Sequence, residues 1–237
     1  MTGGQRDALR SLCNLPVAHG AACRYADKSG VTVITDLEGD EMKIMQELPH
    51  PHHYDILPSD PTESVINRVK AWSKKWTEKG EIDVETQVYI EDIEDSHPGK
   101  CTPLVKTHKQ KPFPIRLLLS GCGTPIQPLS KFVQLNIGHL TEYLPFQILD
   151  TKEFLQKFSE INNTFVPLPD SACFAACNIV ALHPNVNNNT GLPAVKSLLK
   201  EHPSRLGIRT DCVMEVLDIA LTNNTCVYTN ILHTITK

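Results

Sequence analysis

The chain has 237 residues, of which 41% are hydrophobic and 21% charged, with 23 Lys and Arg against 27 Asp and Glu. These values exclude a protein that is basic throughout. No stretch approaches the ~20 continuous apolar residues of a membrane-spanning helix, and no apolar signal-peptide core precedes residue 30. Eight cysteines are scattered singly, without a CxxC pair. We therefore predict an intracellular chain, nuclear or cytoplasmic, with reduced thiols.

The charge is divided unevenly along the chain. Residues 1–100 carry 11 basic and 18 acidic side chains, a balance of −7, whereas residues 101–237 carry 12 and 9, a balance of +3. No acidic residue occurs between Asp95 and Glu142. The basic residues in this window are Lys100, Lys106, Lys109, Lys111, Arg116 and Lys131. The window could steer a polyanion to one surface, or it could be a solvated basic loop.

The first quarter of the chain contains one clear strand signal. Residues 1–25 show no regular pattern and are predicted to be irregular. The β-branched alternation of residues 30–36 predicts a strand entered through a glycine turn. Residues 48–61 are rich in proline, which excludes a helix interior. This tract contains three histidines, His50, His52 and His53, but no accompanying ligand spacing, and no zinc site is expected.

Two helices follow the proline-rich tract. Asp60 and Pro61 have the pattern of a helix start. Apolar residues then recur at helical spacing, and Gly80 is predicted to end this helix. Residues 83–90 are predicted to form a short second helix.

The middle of the chain is rich in proline. Residues 96–128 are predicted to be extended loops around one strand, at 115–120. Amphipathic spacing predicts helices over 129–144 and 151–161. The glycines at 121 and 123 could bring backbone amides to a phosphate, but the spacing is not that of a P-loop, and a plain turn is the simpler interpretation.

The last part of the chain combines a strand signal with helices. Small apolar residues predict a buried strand over 172–182, in which Cys173 and Cys177 would be buried small side chains. Helices are predicted over 192–202 and 210–221. Strands interspersed with helices indicate an α/β or α+β fold. Spacing alone identifies no catalytic triad.

Four blocks of this sequence resemble one known family. They read ADKSG at 26–30, LVKTHK at 104–109, PIRLLLSGCGTP at 114–125 and NIVALHPNV at 178–186. The reverse transcriptases of Penelope-like retroelements carry ADKGG, LPKIHK, RPIVSGCGSP and DVxxLYPNIP in the same order. The likeness extends from about residue 26 to about residue 230, and its most specific part is SGCGTP.

The resemblance implies the fingers and the start of the palm of a right-hand polymerase. An irregular segment, 1–25, would precede a fingers-like region, 26–165, and the beginning of a palm, 166–237. The family is a group of RNA-directed DNA polymerases, nucleotidyltransferases that use an RNA template, a DNA primer and dNTPs. Two Mg²⁺ ions held by carboxylates carry out this chemistry.

The resemblance also implies roles for individual residues. Lys106 and Arg116 would be the fingers cations that neutralise the incoming triphosphate. Lys28, Lys109 and Lys111 are further basic residues expected to bind nucleotide or nucleic acid.

Three departures from the family pattern bear on catalysis. The first metal-binding aspartate falls at Asn178, whose amide keeps an oxygen ligand but lacks the charge that holds the cation. The aromatic residue that contacts the nucleotide sugar is replaced by His183. No YxDD-like pair precedes Lys237, and no aspartate follows Asp218. We therefore expect that this chain binds no Mg²⁺ and does not polymerise DNA alone.

Three hypotheses follow from the sequence. The chain could be a truncated, decayed reverse-transcriptase fragment. It could instead be a retained non-catalytic module whose basic surface, within 100–131, binds nucleic acid or a protein. It could also be part of an active polymerase whose remaining residues come from elsewhere. We favour them in that order.

Overall fold

The computed structural model describes residues 20–48, 54–164, 186–228 and 231–235, with Gly4, Asp7 and positions 171, 173, 175–179 and 182. The strands are β1 (Ala21–Ala26), β2 (Thr32–Asp36), β3 (Tyr54–Ile56), β4 (Gly99–Val105), β5 (Ile115–Ser120), β6 (Thr225–Tyr228) and β7 (Ile231–Ile235). The α-helices are α1 (Leu37–Glu47), α2 (Thr62–Glu78), α3 (Val84–Glu91), α4 (Gln127–Ile137), α5 (Thr151–Thr164), α6 (Asn188–Glu201) and α7 (Thr210–Thr222). A 3₁₀ helix, Gly138–Tyr143, follows α4. The described chain is therefore a mixed α+β structure.

Strand β4 is the centre of the mixed sheet. One edge of β4 pairs with β5 in antiparallel register from Lys100 to Val105. The opposite edge is shared by two parallel neighbours, β6 at residues 99–100 and β1 at residues 104–105. The antiparallel hairpin partners β2 and β7 extend the sheet on either side, and β3 pairs with β7. The sheet thus joins strands from both sides of residue 165.

The two faces of the sheet differ in burial. Residues of β4 alternate between buried and more exposed positions, and the buried set includes Cys101 and Val105. Ile44 and Leu48, at the end of α1, pack over this buried face together with Ile115 and Cys226. Alternation with a period of two is the expected pattern for a sheet that has one face packed and one face solvated.

A separate apolar cluster holds the helices together. Helices α2, α4 and α7 contact one another around Trp72, Leu129 and Val216, all of which are buried. The Trp72 and Phe132 rings meet edge to face, with centroids 5.5 Å apart. The indole N–H of Trp76 donates to Glu215 over 2.9 Å. This cluster contains no strand residue, so within the described residues it is a second core beside the sheet.

Several sequence-based predictions are confirmed. The strand at 115–120 is β5, and the strand at 30–36 is β2 without its first two residues. The predicted helices correspond to α2, α3, α4 with its 3₁₀ extension, α5, α6 and α7. The Asp83 side chain caps α3 by accepting from the Thr86 N–H at 2.7 Å. Gly80, at φ 74°, follows α2 in the left-handed conformation that glycine favours.

Two predictions of irregular structure are wrong. Residues 21–25 belong to β1, while most of 1–19 lies outside the described residues. The region 96–128 contains a second strand, β4, because Pro103 does not prevent pairing with β5. Pro103 lies in the part of β4 that neither β1 nor β6 reaches, where a missing N–H is tolerated.

The prediction of a buried strand over 172–182 is also wrong. Within this range, residues 173, 175–179 and 182 are described, and they are exposed and form no strand. Cys173 and Cys177 are accordingly exposed. Among the described residues the sheet is built from β1 to β7, none of which includes this segment, so its small apolar side chains are not buried in a strand.

The buried histidine His233 predicts a pH-dependent stability. It is 1% exposed, faces Cys226 across β6 and β7, and neither ring nitrogen has a partner in the described structure. Burial lowers the pKa of His233 below its usual value. As the pH falls below about 6.5, the unfolded chain takes up a proton that the folded chain resists, so unfolding becomes easier.

We expect the free energy of unfolding to fall between pH 7.5 and pH 5.5, and to fall less in His233→Phe. Urea unfolding of both proteins across this range measures the difference. An equal pH dependence in both proteins would contradict the assignment.

Candidate nucleic-acid interface

Three strand ends meet at one end of the sheet. Strands β1 and β4 run parallel, and Ala26 pairs with Val105 where both strands end. Strand β5 begins opposite the same residue, since Ile115 pairs with Val105. The turn after β1 and the loop between β4 and β5 therefore leave the sheet together. All five predicted basic residues lie here, and we call them the basic end: Lys28, Lys106, Lys109, Lys111 and Arg116.

The turn after β1 presents Lys28 to solvent. The Ala26 N–H donates to the Val31 carbonyl over 2.8 Å and closes the turn. Lys28 has φ 71° and Gly30 has φ 66°, so both occupy the left-handed region. Positive φ is unusual for a residue with a side chain. The side chain of Lys28 is exposed at the tip.

The loop between β4 and β5 carries three more cations. The Lys106 N–H donates to the Pro114 carbonyl over 2.9 Å, and the Lys109 N–H donates to the Lys106 carbonyl over 3.0 Å. The Lys111 ammonium lies 5.7 Å from the centroid of the Phe113 ring. Helix α1 supports the loop from one side, because the Lys43 ammonium reaches the Phe113 carbonyl at 3.5 Å.

An ion pair links the turn to β5. Asp27 is only 5% exposed, and its Oδ1 accepts from Nη1 of Arg116 over 3.2 Å. The other carboxylate oxygen, Oδ2, is buried without a hydrogen-bond partner in the described structure. The Asp27 backbone N–H donates to the Val105 carbonyl over 2.8 Å. Arg116 keeps half of its side chain exposed, so it ties Asp27 down while remaining on the surface.

The basic end has a positive surface. Among the described residues, none of its four lysines forms an ion pair with a carboxylate. The nearby acid Asp27 is buried against Arg116. Asp40 is also buried, and Arg24 contacts it at 3.3 Å. Buried, paired carboxylates leave the lysines as the charges that a ligand would meet.

Of the two predicted catalytic positions, one is described. Asn178 is exposed and lies in no strand, and His183 lies outside the described residues. Within the described ranges, no three His, Cys, Asp or Glu side chains are grouped to hold a metal ion. An exposed amide lacks the negative charge by which a carboxylate holds Mg²⁺. The described residues therefore do not fit the two-metal centre that the resemblance implies.

The Ser120–Pro125 block lies at the opposite end of β5 and is a self-contained turn. The N–H groups of Cys122, Gly123 and Thr124 bond to Ser120 Oγ, Gln127 Oε1 and the Gly121 carbonyl, respectively. With its amides occupied in this way, the turn does not offer them to a phosphate. A Cβ atom at residue 123 would lie 2.6 Å from His97 Nε2, and its φ is +72°, so the turn needs glycine at this position.

The remaining candidates for reactive groups are a buried cysteine and the three histidines of the proline-rich tract. Burial raises the pKa of the Cys212 thiol to about 12, which disfavours the reactive thiolate. His50, His52 and His53 lie outside the described residues. Among the described helices, none has the length and apolar character needed to cross a bilayer.

Comparison with protein-family models, curated proteins and solved structures gives no match. The four sequence blocks are thus the ground for the family proposed below.

Sequence reasoning missed two contributors to this end of the sheet. Asp27 lies inside the ADKSG block, and its pairing with Arg116 required the parallel alignment of β1 with β4. Tyr25 lies in the range predicted to be irregular, yet it is 63% exposed on β1 opposite Leu104. No clear sequence pattern marks this strand, in which Ala22 and Ala26 are buried, Tyr25 is exposed and the other three residues are partly buried.

The ion pair predicts that removing Arg116 lowers the stability of the chain more than removing an exposed lysine does. Arg116→Ala leaves Asp27 buried without its partner, which should cost about 1–3 kcal/mol of stability and lower the melting temperature by several degrees. Lys109→Ala, in the exposed loop, should change the melting temperature little. The double variant Asp27→Asn with Arg116→Ala should recover part of the loss, because a neutral amide is cheaper to bury.

Thermal unfolding monitored by circular dichroism measures all three variants. Equal melting temperatures for Arg116→Ala and Lys109→Ala would contradict a stabilising role for the pair.

Proposed function

We propose that the chain is related to the Penelope-like reverse transcriptases and binds nucleic acid through its basic end without polymerising DNA by itself. The observation that carries the proposal is the convergence of Lys28, Lys106, Lys109, Lys111 and Arg116 from two separate segments. The sequence blocks that contain them support the family. An intracellular location, nuclear or cytoplasmic, goes with this proposal.

The physical basis of binding is the exchange of small counterions for lysines. Each phosphate neutralised by a lysine releases a condensed cation, which favours binding at low salt and weakens it as salt rises. Arg116 has a second capability, because its planar guanidinium can contact a phosphate while one of its nitrogens holds Asp27. An incoming triphosphate, as in the resembled family, would meet the same charges.

Catalysis is the part of the family's activity that these residues do not support. Asn178 stands where the family has a metal-binding aspartate, and within the described residues no three His, Cys, Asp or Glu side chains are grouped to hold a metal ion. The basic end can bind and orient phosphates, but within the described residues no group is placed to activate a primer hydroxyl. We therefore derive binding, and not polymerisation, from this chain.

The proposal predicts that four lysines control binding. Changing Lys28, Lys106, Lys109 and Lys111 together to Gln should weaken binding to RNA by about tenfold or more at low salt and flatten the salt dependence by about 3 logarithmic units per decade of salt. Arg116 is kept, so that Asp27 remains paired. Fluorescence anisotropy of a labelled oligonucleotide over a salt series measures both quantities.

A matched control removes the same charge elsewhere. Lys74, Lys79, Lys152 and Lys200 are exposed, lie in or directly after helices outside the basic window, and form no ion pair within the described structure. Their joint change to Gln should leave binding nearly unchanged. Equal weakening by both sets would show that net charge alone acts. Equally tight binding of polyglutamate would indicate an acidic protein partner instead of a nucleic acid.

The proposal also predicts the outcome of a polymerase assay. Neither the chain nor Asn178→Asp should extend a primer on an RNA template in Mg²⁺, because one restored carboxylate does not complete a two-metal site. Incorporation of labelled dNTPs measures this. Extension by the unaltered chain would contradict the absence of catalysis, and extension by Asn178→Asp alone would show that a second carboxylate is already in place.

A further inference from the structure

The face of the sheet opposite α1 is open to solvent. On β1, β2, β4 and β5 its exposed or partly exposed residues, which we call the open sheet face, are Ala21, Cys23, Tyr25, Thr32, Ile34, Asp36, Lys100, Thr102, Leu104, Arg116, Leu118 and Ser120. Three apolar or aromatic side chains among them are strongly exposed, with Ile34 at 70%, Tyr25 at 63% and Leu118 at 51%. Burying these groups in a complex would be favourable.

Strand register places an aromatic ring beside the basic end. Arg116 on β5 pairs with Leu104 on β4, and Leu104 pairs with Tyr25 on β1. Because neighbouring strands are about 4.8 Å apart, the Arg116 and Tyr25 backbones are separated by about 10 Å across the face. Leu118 lies two residues along β5, which is about 7 Å further from the basic end.

The side chains of the open sheet face indicate the chemistry of the ligand that it can bind. Arg116 lies at the basic end of the face, and Lys100, opposite Ser120, lies toward the other end, where Asp36 on β2 is the one acidic side chain among these residues. Thr32 and Thr102 add hydroxyl groups, so the face combines apolar, hydroxyl and charged side chains. A ligand with flat apolar rings and regularly spaced negative charges fits this arrangement.

We propose that the open sheet face binds single-stranded nucleic acid, with a base stacked on Tyr25 and the backbone directed to Arg116 and the lysines of the basic end. In a duplex the faces of the bases are stacked on one another, whereas a single strand can offer them to an aromatic side chain. The face therefore selects single strands, and stacking on Tyr25 adds to the salt-dependent attraction of the lysines.

This inference rests on the proposed function, and the test separates the two. The full chain is titrated against a fluorescein-labelled oligouridylate of about 20 nucleotides, longer than the ~4–16 nucleotides that one single-strand-binding domain covers. A deoxy strand and an RNA duplex of equal length are the comparison ligands. The single strands should bind more tightly than the duplex, and the RNA and DNA arms distinguish a sugar preference.

Variants of Tyr25 test the stacking contact. Tyr25→Ala should weaken single-strand binding about tenfold or more, in line with ~1–3 kcal/mol for one stacked base, and should leave duplex binding unchanged. Tyr25→Phe, which keeps the ring, should bind nearly as the unaltered chain does. Tyr89→Ala is the matched control, since Tyr89 is an exposed tyrosine on α3, and it should have no effect. Thermal unfolding confirms that each variant folds.

Two results would overturn the inference in different ways. If Tyr25→Ala binds single strands normally while the four-lysine variant does not, the basic end binds nucleic acid and the open sheet face does not. If the unaltered chain binds no polynucleotide at low salt, the proposed function and this inference both fail. Equal affinity for duplex and single strand would also overturn the selection of single strands.

Discussion

The structure depends on the way in which β4 is paired on both edges. Strand β5 occupies one edge over six residues, while β6 and β1 divide the other edge between them. Gly99 makes this arrangement possible, since a Cβ atom there would lie 2.5 Å from the Ser120 carbonyl oxygen and 3.0 Å from that of Thr225. Both contacts are to backbone, which cannot move aside as a flexible side chain would. The parallel pairing of β1 with β4 then brings the ADKSG turn beside the LVKTHK loop.

The same pairing explains how an acidic chain obtains a basic surface. Lys28 and Lys106 are far apart in sequence, and they are brought to one end of the sheet because β1 and β4 end together at Ala26 and Val105. Asp27, which could neutralise this surface, is buried and paired with Arg116 through one carboxylate oxygen. Electrostatic attraction of a polyanion depends on this local arrangement of charge, and the formal net charge of −4 does not prevent it.

Local patterns predicted α2 to α7 and the two strands that carry strong signals, because amphipathic spacing and glycine or proline boundaries are properties of short segments, whereas α1 was missed. Strand β4 was missed because a proline, here Pro103, argues against a strand. Pro103 is tolerated because it lies in the part of β4 that neither β1 nor β6 pairs with. The wrong prediction at 172–182 has the converse cause: small apolar residues are only a local signal for a buried strand, and the described sheet is built from other segments. The basic residues were identified from the family resemblance, but the pairing of Asp27 with Arg116 and the exposure of Tyr25 follow from long-range register. Asn178, identified in the same way, is exposed and lies in no strand.

The central claim is that nucleic acid lies along the basic end and the open sheet face. Photocrosslinking of a single-stranded RNA that carries 4-thiouridine, followed by mass spectrometry of the crosslinked peptides, tests this claim directly. We predict crosslinks within 24–32 and 100–118, with Tyr25 among the modified residues. Crosslinks confined to helices α2, α3, α6 and α7 would contradict the account, because these helices lie in the second core and carry none of the residues assigned to binding.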